Sequence, residues 1–358
     1  MQAAEGAVLF LEKISPAVRD VDSSSGALGN AVYAAVAELA PMIIEAPATP
    51  AVRAKWLDRL FEAIQEDDPP YIESLGDHWG ELCATPEESS RWADDLLPTL
   101  RRVTEERKRG VFAWFKGTSL CYSALFTAGR HDELLELLDN DRTPIWPYLK
   151  WGGRVLASRG RADEAIAYMT SRAGINTPLG ALARFAEKVL LDAGRRTEAY
   201  EKYAIEANQG ATRIATFRAL AKKYPEIDAD RLLNDLVRSS PGEEGKWFAT
   251  AKSLGRFELA IELATRSPCD PKTLIRAARD HLKTQPAFSG EAAVAALFWI
   301  SRGFGYEMTS LDARDAYRYA LEAAASSGQA DKVRSRLEQI LAADGPSSKW
   351  LQESLGRS

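Results

Sequence analysis

Apolar residues recur at intervals of three and four along most of this chain. The pattern is clearest between residues 115 and 210, where leucine and alanine stand four apart on both sides of successive glycines. Such spacing places side chains on one face of an α-helix. No segment alternates convincingly with the period of two that marks a strand. The pattern predicts an all-α protein.

Five glycines divide this helical pattern into units. Residues that can be buried follow each of them at five and nine positions, and four of the five precede an arginine. A glycine just past a helix takes the left-handed conformation that ends the helix at little energetic cost. The predicted unit is therefore helix, tight turn, helix. The predicted turn residues are Gly129, Gly160, Gly194, Gly255 and Gly328.

The spacings between these glycines are 31, 34, 61 and 73 residues, and the last two are close to twice one unit. Degenerate repeats are therefore expected in both gaps, with a break at Tyr224-Pro225 in the first and a Pro/Gly break in the second. A single helical hairpin has too little interior to be stable alone. Successive hairpins are expected to stack and share a continuous core.

The steps Glu133-Leu134, Glu164-Ala165 and Glu198-Ala199 follow three of the glycines at one position. This helix-G-x-x-x-E-A-helix pattern resembles tetratricopeptide-type repeats, clearly from about residue 115 to 210 and more faintly to about 342. The resemblance implies an α-solenoid of antiparallel helix pairs wound into a right-handed superhelix. The expected organisation is an N-terminal helical region or cap at 1–110, a repeat array at 111–345 and a C-terminal tail at 346–358.

Helix starts are marked independently by a capping side chain before proline. Two of these sites also carry glutamate at the position that completes a capping box, Thr85 with Glu88 and Ser240 with Glu243. The five predicted starts are Thr49-Pro50, Thr85-Pro86, Thr177-Pro178, Ser240-Pro241 and Asp270-Pro271.

Composition narrows the class of protein. The 358 residues are 46% apolar, enough for a substantial core, and 46 basic against 51 acidic residues leave a formal charge of −5. The acidic balance argues against a general nucleic-acid binder. Three widely spaced cysteines indicate neither a disulfide framework nor a structural zinc site. Without a basic leader region or an apolar run near 20 residues, a cytoplasmic protein with no membrane contact is expected.

The sequence contains no motif that identifies a catalysed reaction. The acidic stretch at 66–83 lacks calcium-loop and HExxH spacing and is interpreted as a linking loop. His131 and His281 are isolated, the glycines at 239–247 do not have Walker spacing, and the charge run at 101–110 is typical of a solvated helix. No metal and no cofactor are expected.

Two functional classes remain open. The favoured one is a non-catalytic scaffold or adaptor whose concave helical groove binds a peptide or another protein. The alternative is a helical enzyme or small-ligand receptor with a pocket that no motif reveals. A helical repeat that reads nucleic acid is a weaker third option, opposed by the net charge.

By resemblance to tetratricopeptide arrays, the residues ten and six positions before a turn glycine should line the groove. These positions hold Lys150 and Arg154 before Gly160, then Arg184 and Lys188 before Gly194. Such a line of cations would attract an acidic segment or C-terminal carboxylate of a partner. Ordinary solvated helix residues would show the same spacing. The equivalent positions at two other turns are uncharged, namely Ser119, Ser123, Gly245 and Ala249.

Overall fold

The computed structural model describes residues 1–141 and 145–356. It is 74% helical, and no strand occurs among the described residues. The all-α prediction is confirmed. The chain divides into two compact units, Met1–Ala199 and Tyr200–Ser358.

The first unit contains eleven described α-helices and one 3₁₀ helix, Glu73–His78, which leads directly into α4. The α-helices are α1 (Gln2–Val18), α2 (Ala27–Ile44), α3 (Pro50–Glu66), α4 (Trp79–Leu82), α5 (Pro86–Lys108), α6 (Thr118–Thr127), α7 (His131–Asn140), α8 (Trp146–Ser158), α9 (Ala162–Arg172), α10 (Ala181–Asp192) and α11 (Arg196–Ala199).

The second unit begins with a π-helical turn, Tyr200–Ala204, and includes a 3₁₀ helix, Glu244–Trp247, before α15. Its α-helices are α12 (Ile205–Ala207), α13 (Arg213–Lys223), α14 (Ala229–Arg238), α15 (Phe248–Ser253), α16 (Phe257–Arg266), α17 (Pro271–His281), α18 (Pro286–Ser301), α19 (Ser310–Ser327), α20 (Ala330–Leu341) and α21 (Pro346–Ser354).

The five predicted turn glycines share one backbone geometry. Their φ angles lie between 69° and 73°, in the left-handed region. At the first turn, Arg130 N–H donates to the carbonyl oxygen of Leu125 at 2.9 Å, across Gly129. The residue after each of the other four glycines donates the equivalent bond, at 2.8 to 3.1 Å. This is the Schellman pattern, which satisfies carbonyl groups at the helix end.

The arginine after the glycine has a structural role of its own. Arg195 donates to Glu198 in the helix that it precedes, at 2.6 Å, and to Asp163 of the preceding hairpin, at 2.8 Å. Arg130 pairs in the same way with Glu133 and with Asp94 of α5, the helix before the hairpin of α6 and α7. Consecutive hairpins are thus linked by ion pairs at one edge. Exposure to solvent keeps the contribution of each pair to stability small.

One hydrophobic core extends through the first unit from α1 to α8, on both sides of residue 110. Its centre is aromatic: the rings of Trp79 and Trp92 meet edge to face with centroids 4.9 Å apart, and Phe61 lies 5.2 Å from Trp92. A smaller cluster around Ala165 and Val189 joins α9 to α10. The larger side chains of Leu156, Ile166 and Phe185 pack against these small buried residues.

Close approach of α4 to α6 depends on a glycine. A Cβ atom at Gly80 would overlap the carbonyl oxygen of Ser123 and the side chain of Thr127. The Gly80 N–H donates to Ser123 Oγ at 3.0 Å, and that hydroxyl donates to the Asp77 carbonyl at 3.0 Å. The backbone of the acidic stretch 66–83 is thus held directly against α6.

Three of the five predicted helix starts are confirmed. Thr49, Thr85 and Asp270 each accept a hydrogen bond from a first-turn N–H, with proline at the start of the helix. A complete capping box lies elsewhere, between Thr309 and Asp312 at the start of α19.

The starts predicted at Thr177-Pro178 and Ser240-Pro241 are wrong. Helix α10 begins later, at Ala181, and Thr177 Oγ1 accepts from Gly174 N–H within the loop. Ser240 Oγ donates to the Leu236 carbonyl at the end of α14 and accepts from Trp247. Both pairs form turns, because a hydroxyl residue before proline favours turns as well as helix starts.

The prediction that no apolar run approaches the length of a membrane span is wrong for helix α2. Among the described residues it is the one helix that is long and apolar enough, by length and composition alone, to cross a bilayer, and 22% of its 18 residues are buried. Glu38 is its single charged residue, and Pro41 lies inside the helix. These residues interrupt the run in the sequence but leave the helix apolar on average.

Candidate functional site

Helix α8 carries two of the predicted groove cations on one face. Lys150 and Arg154 stand four residues apart and are both half-buried. The Lys150 ammonium pairs with the carboxylate of Asp77 in the 3₁₀ helix before α4. The first cation is therefore neutralised within the unit.

Arg154 is stacked rather than paired. Its guanidinium carbon lies 4.2 Å from the ring centroid of Trp151 and 4.7 Å from that of Phe126. Within the described part of the chain, the guanidinium donates no hydrogen bond and forms no ion pair. Burial lowers the pKa of Arg154, while the more distant carboxylates of Glu81 and Asp77 act in the opposite direction. Two aromatic rings thus hold a cation whose planar N–H donors are unused by these residues.

The aromatic platform is itself fixed by contacts. Phe126 stacks on the imidazole of His131, with centroids 5.1 Å apart and planes inclined by 25°. The His131 Nε2 atom lies 3.2 Å from the Phe126 carbonyl oxygen. His131 therefore supports the ring beneath Arg154. We name Arg154, Trp151, Phe126 and Lys150 the arginine site.

The other two predicted cations lie on α10 and are exposed. Arg184 donates to the Leu179 carbonyl at 3.1 Å, and Lys188 pairs with Asp192 at 2.9 Å. Phe185, between them in sequence, packs against α8, because a Cβ atom at Gly153 would lie 2.5 Å from its Cζ atom. Helices α8 and α10 thus pack together, but Lys150 and Arg154 on α8 are half-buried. Arg184 and Lys188 on α10 are exposed.

The uncharged equivalents at other turns lie between helices. Ser119 and Ser123 are buried against the segment 76–80, and the Gly245 N–H donates to Ser267 Oγ at 2.9 Å. The positions ten and six residues before each turn glycine therefore do not form one continuous exposed surface. The spacing also missed Trp151 and Phe126, although Trp151 stands three residues before Arg154 on one helical face, a recognisable signal.

The three cysteines and the acidic stretch 66–83 carry the remaining groups able to act as nucleophiles or metal ligands. Burial raises the pKa of the Cys83 and Cys269 thiols to about 12, and raises that of Cys121 as well. The described residues include no group of three or more histidine, cysteine, aspartate or glutamate side chains placed to hold a metal ion. The acidic stretch 66–83 is among the residues to which this statement applies.

Comparison with known proteins adds no assignment. No protein-family model matches the chain, and no curated protein matches it in sequence.

Proposed function

We propose that this chain is a non-catalytic, cytoplasmic interaction scaffold that binds an acidic segment or C-terminal carboxylate of another protein. We further propose that its hairpins stack within each unit in a tetratricopeptide-like manner with a right-handed sense. The repeated Gly-Arg turn geometry and the ion pairs between consecutive hairpins support that arrangement.

The observation that carries the proposed function is Arg154. A guanidinium stacked on two aromatic rings loses little freedom when it binds, since its plane is already oriented. Its N–H groups match the geometry of a carboxylate and form paired, charge-assisted hydrogen bonds. Arg184 and Lys188 on the adjacent helix would extend the positive surface for further acidic residues of the partner.

Two neighbouring carboxylates limit which anions can bind at the arginine site. Asp77 neutralises Lys150, and Glu81 attracts Arg154 from a distance. An incoming anion must compete with both, so a carboxylate whose chain adds apolar contact with the partly exposed Phe126 ring is favoured over a small inorganic anion. The expected ligand is therefore a peptide group rather than a free ion.

A second candidate function rests on a cavity in the second unit. It has a volume of about 840 Å³ and is lined by α18, α20 and the start of α21, with Phe298 and Arg302 among its residues. That volume suits a small organic ligand. A small-ligand receptor or helical enzyme is therefore the alternative to a scaffold.

Affinity capture from the native host separates these functions. The wild-type chain should retain a stable protein partner, and the double variant Arg184→Glu with Lys188→Glu should lose most of it while keeping its helicity and melting temperature. Arg334→Glu, a change of an exposed residue in α20, is the matched control and should retain the partner. Co-purification of nucleic acid or a metabolite without a protein would overturn the scaffold proposal.

A further inference from the structure

Large apolar side chains are exposed on three alternate loops of the first unit. These loops lie between α5 and α6, α7 and α8, and α9 and α10, and their described residues are 109–117, 141 and 145, and 173–180. Phe112 is 93% exposed, Ile175 is fully exposed and Leu179 is 94% exposed. The described residues of the three loops also expose Val111, Trp114 and Ile145.

Contacts between helix ends place the three loops at one edge. Arg107, in the last turn of α5, pairs with Asp141 at the end of α7 at 2.8 Å. Arg172, at the end of α9, pairs with Asp139 at 3.1 Å. The C-terminal ends of α5, α7 and α9 are therefore neighbours. We name the described residues of the three loops the loop edge.

The apolar side chains of the loop edge protrude. Exposure of 94% or more means that Ile175 and Leu179 stand away from the surface, while Phe112, 93% exposed, borders a cleft at the first loop. Between the first two loops an apolar cleft of about 440 Å³ opens beside Trp114 and Tyr148. Protruding aromatic and aliphatic side chains suit insertion into the boundary between lipid headgroups and acyl chains.

The charges of the loop edge are positive or neutralised. Loops 109–117 and 173–180 contain no aspartate or glutamate. The Asp141 carboxylate is buried and paired with Arg107. Arg109 is exposed and only distantly paired, at 3.9 Å, with Glu105. Arg184, beside the loop edge in the first turn of α10, is exposed and donates to the Leu179 carbonyl. A second copy of the chain would bring like charges together, whereas an anionic surface would complement them.

From this combination we propose that the loop edge binds the surface of an anionic lipid bilayer. Phe112, Trp114, Ile175 and Leu179 enter the interface, and Arg109 and Arg184 contact anionic headgroups. Such binding is peripheral and needs no spanning helix, so the argument from apolar run length does not bear on it. The arginine site lies outside these loops, but Arg184 is shared with the surface of the proposed function, so the apolar residues Phe112, Ile175 and Leu179 distinguish the two proposals.

Vesicle co-sedimentation of the full chain tests the proposal. The probes are vesicles of pure phosphatidylcholine and vesicles with about 30% phosphatidylglycerol, at low and high salt. We expect the anionic vesicles to bind the chain at least about tenfold more strongly, with binding reduced by salt. Phe112→Ser and the double variant Ile175→Ser with Leu179→Ser should each reduce partitioning by about fivefold or more.

Tyr306→Ser is the matched control, because Tyr306 is an exposed loop aromatic, at 82%, in the second unit. It should leave vesicle binding unchanged, and all variants should melt with the wild-type chain. Absence of vesicle binding by the folded wild-type chain would overturn the proposal. Equal effects of Tyr306→Ser and the loop-edge variants would overturn it too, as would a protein partner that requires Phe112 in the absence of vesicle binding.

Discussion

At the scale of single residues, the turn glycines meet a backbone requirement that side chains with a Cβ atom meet poorly. Gly160 has φ of 73° and open space around its Cβ position. A substitution there is therefore penalised by backbone conformation and not by a clash. Gly174 has equally open space without a positive φ, which makes it a matched comparison.

We expect Gly160→Val to lower the free energy of unfolding by about 1 to 3 kcal/mol, because valine is strained at positive φ. Gly174→Val should change it by less than about 0.5 kcal/mol. Denaturant unfolding followed by circular dichroism measures both values. Equal stability of the two variants would contradict the assigned turn conformation.

The buried cysteines predict a dependence on alkaline pH. The pKa of Cys83 and of Cys269 is raised by burial to about 12 in the folded chain. A raised folded pKa contributes stability that is present below the unfolded pKa, about 8.5, and is lost as pH rises toward the folded value. Folded thiols should therefore resist alkylation by iodoacetamide at about pH 8 and react on unfolding.

The stability loss above about pH 9 should be smaller in Cys269→Ala than in the wild-type chain, when each is compared with its own stability at neutral pH. Rapid alkylation of Cys83 and Cys269 in the folded chain would contradict their burial.

At the scale of elements, contact between α4 and α6 requires the absence of a side chain at Gly80. Gly80→Ala should destabilise the first unit by about 1 to 3 kcal/mol, because a Cβ atom would overlap the backbone of Ser123. Gly6→Ala is the control: Gly6 is exposed in the middle of α1 with nothing near its Cβ position. That change should stabilise by about 0.5 to 1 kcal/mol, since alanine favours helix. Thermal unfolding that shows the same sign for both would contradict the described packing.

Helical periodicity and local turn chemistry are encoded over short distances, which is why the sequence predicted the helices around Gly160 and Gly194. The misplaced starts at Thr177 and Ser240 show where local chemistry is ambiguous, because the same residue pair begins turns and helices. The second role of Arg195, its pair with Asp163, depends on how far apart consecutive hairpins stack. That distance is a tertiary property.

At the scale of the whole molecule, the candidate sites depend on contacts between distant segments. Arg154 was predicted as a groove cation, yet the Phe126 ring that stacks on it comes from another helix, and the Asp77 partner of Lys150 comes from the acidic stretch. Spacing within one helix does not contain this information. The loop edge likewise becomes a surface only when the ends of three helices are neighbours.

The affinity of the captured partner for Arg154 variants tests the central claim most directly. Titration calorimetry would compare the wild-type chain with Arg154→Lys, Arg154→Gln and the control Arg334→Gln, at low and high salt. We predict that both Arg154 variants keep their melting temperatures and bind at least about tenfold more weakly, equivalent to ~1.4 kcal/mol, because lysine keeps the charge but lacks the planar fork of donors. Wild-type affinity should fall as salt rises, and Arg334→Gln should match the wild type. Equal affinity of all four proteins would contradict the assignment of Arg154 as the carboxylate-binding residue.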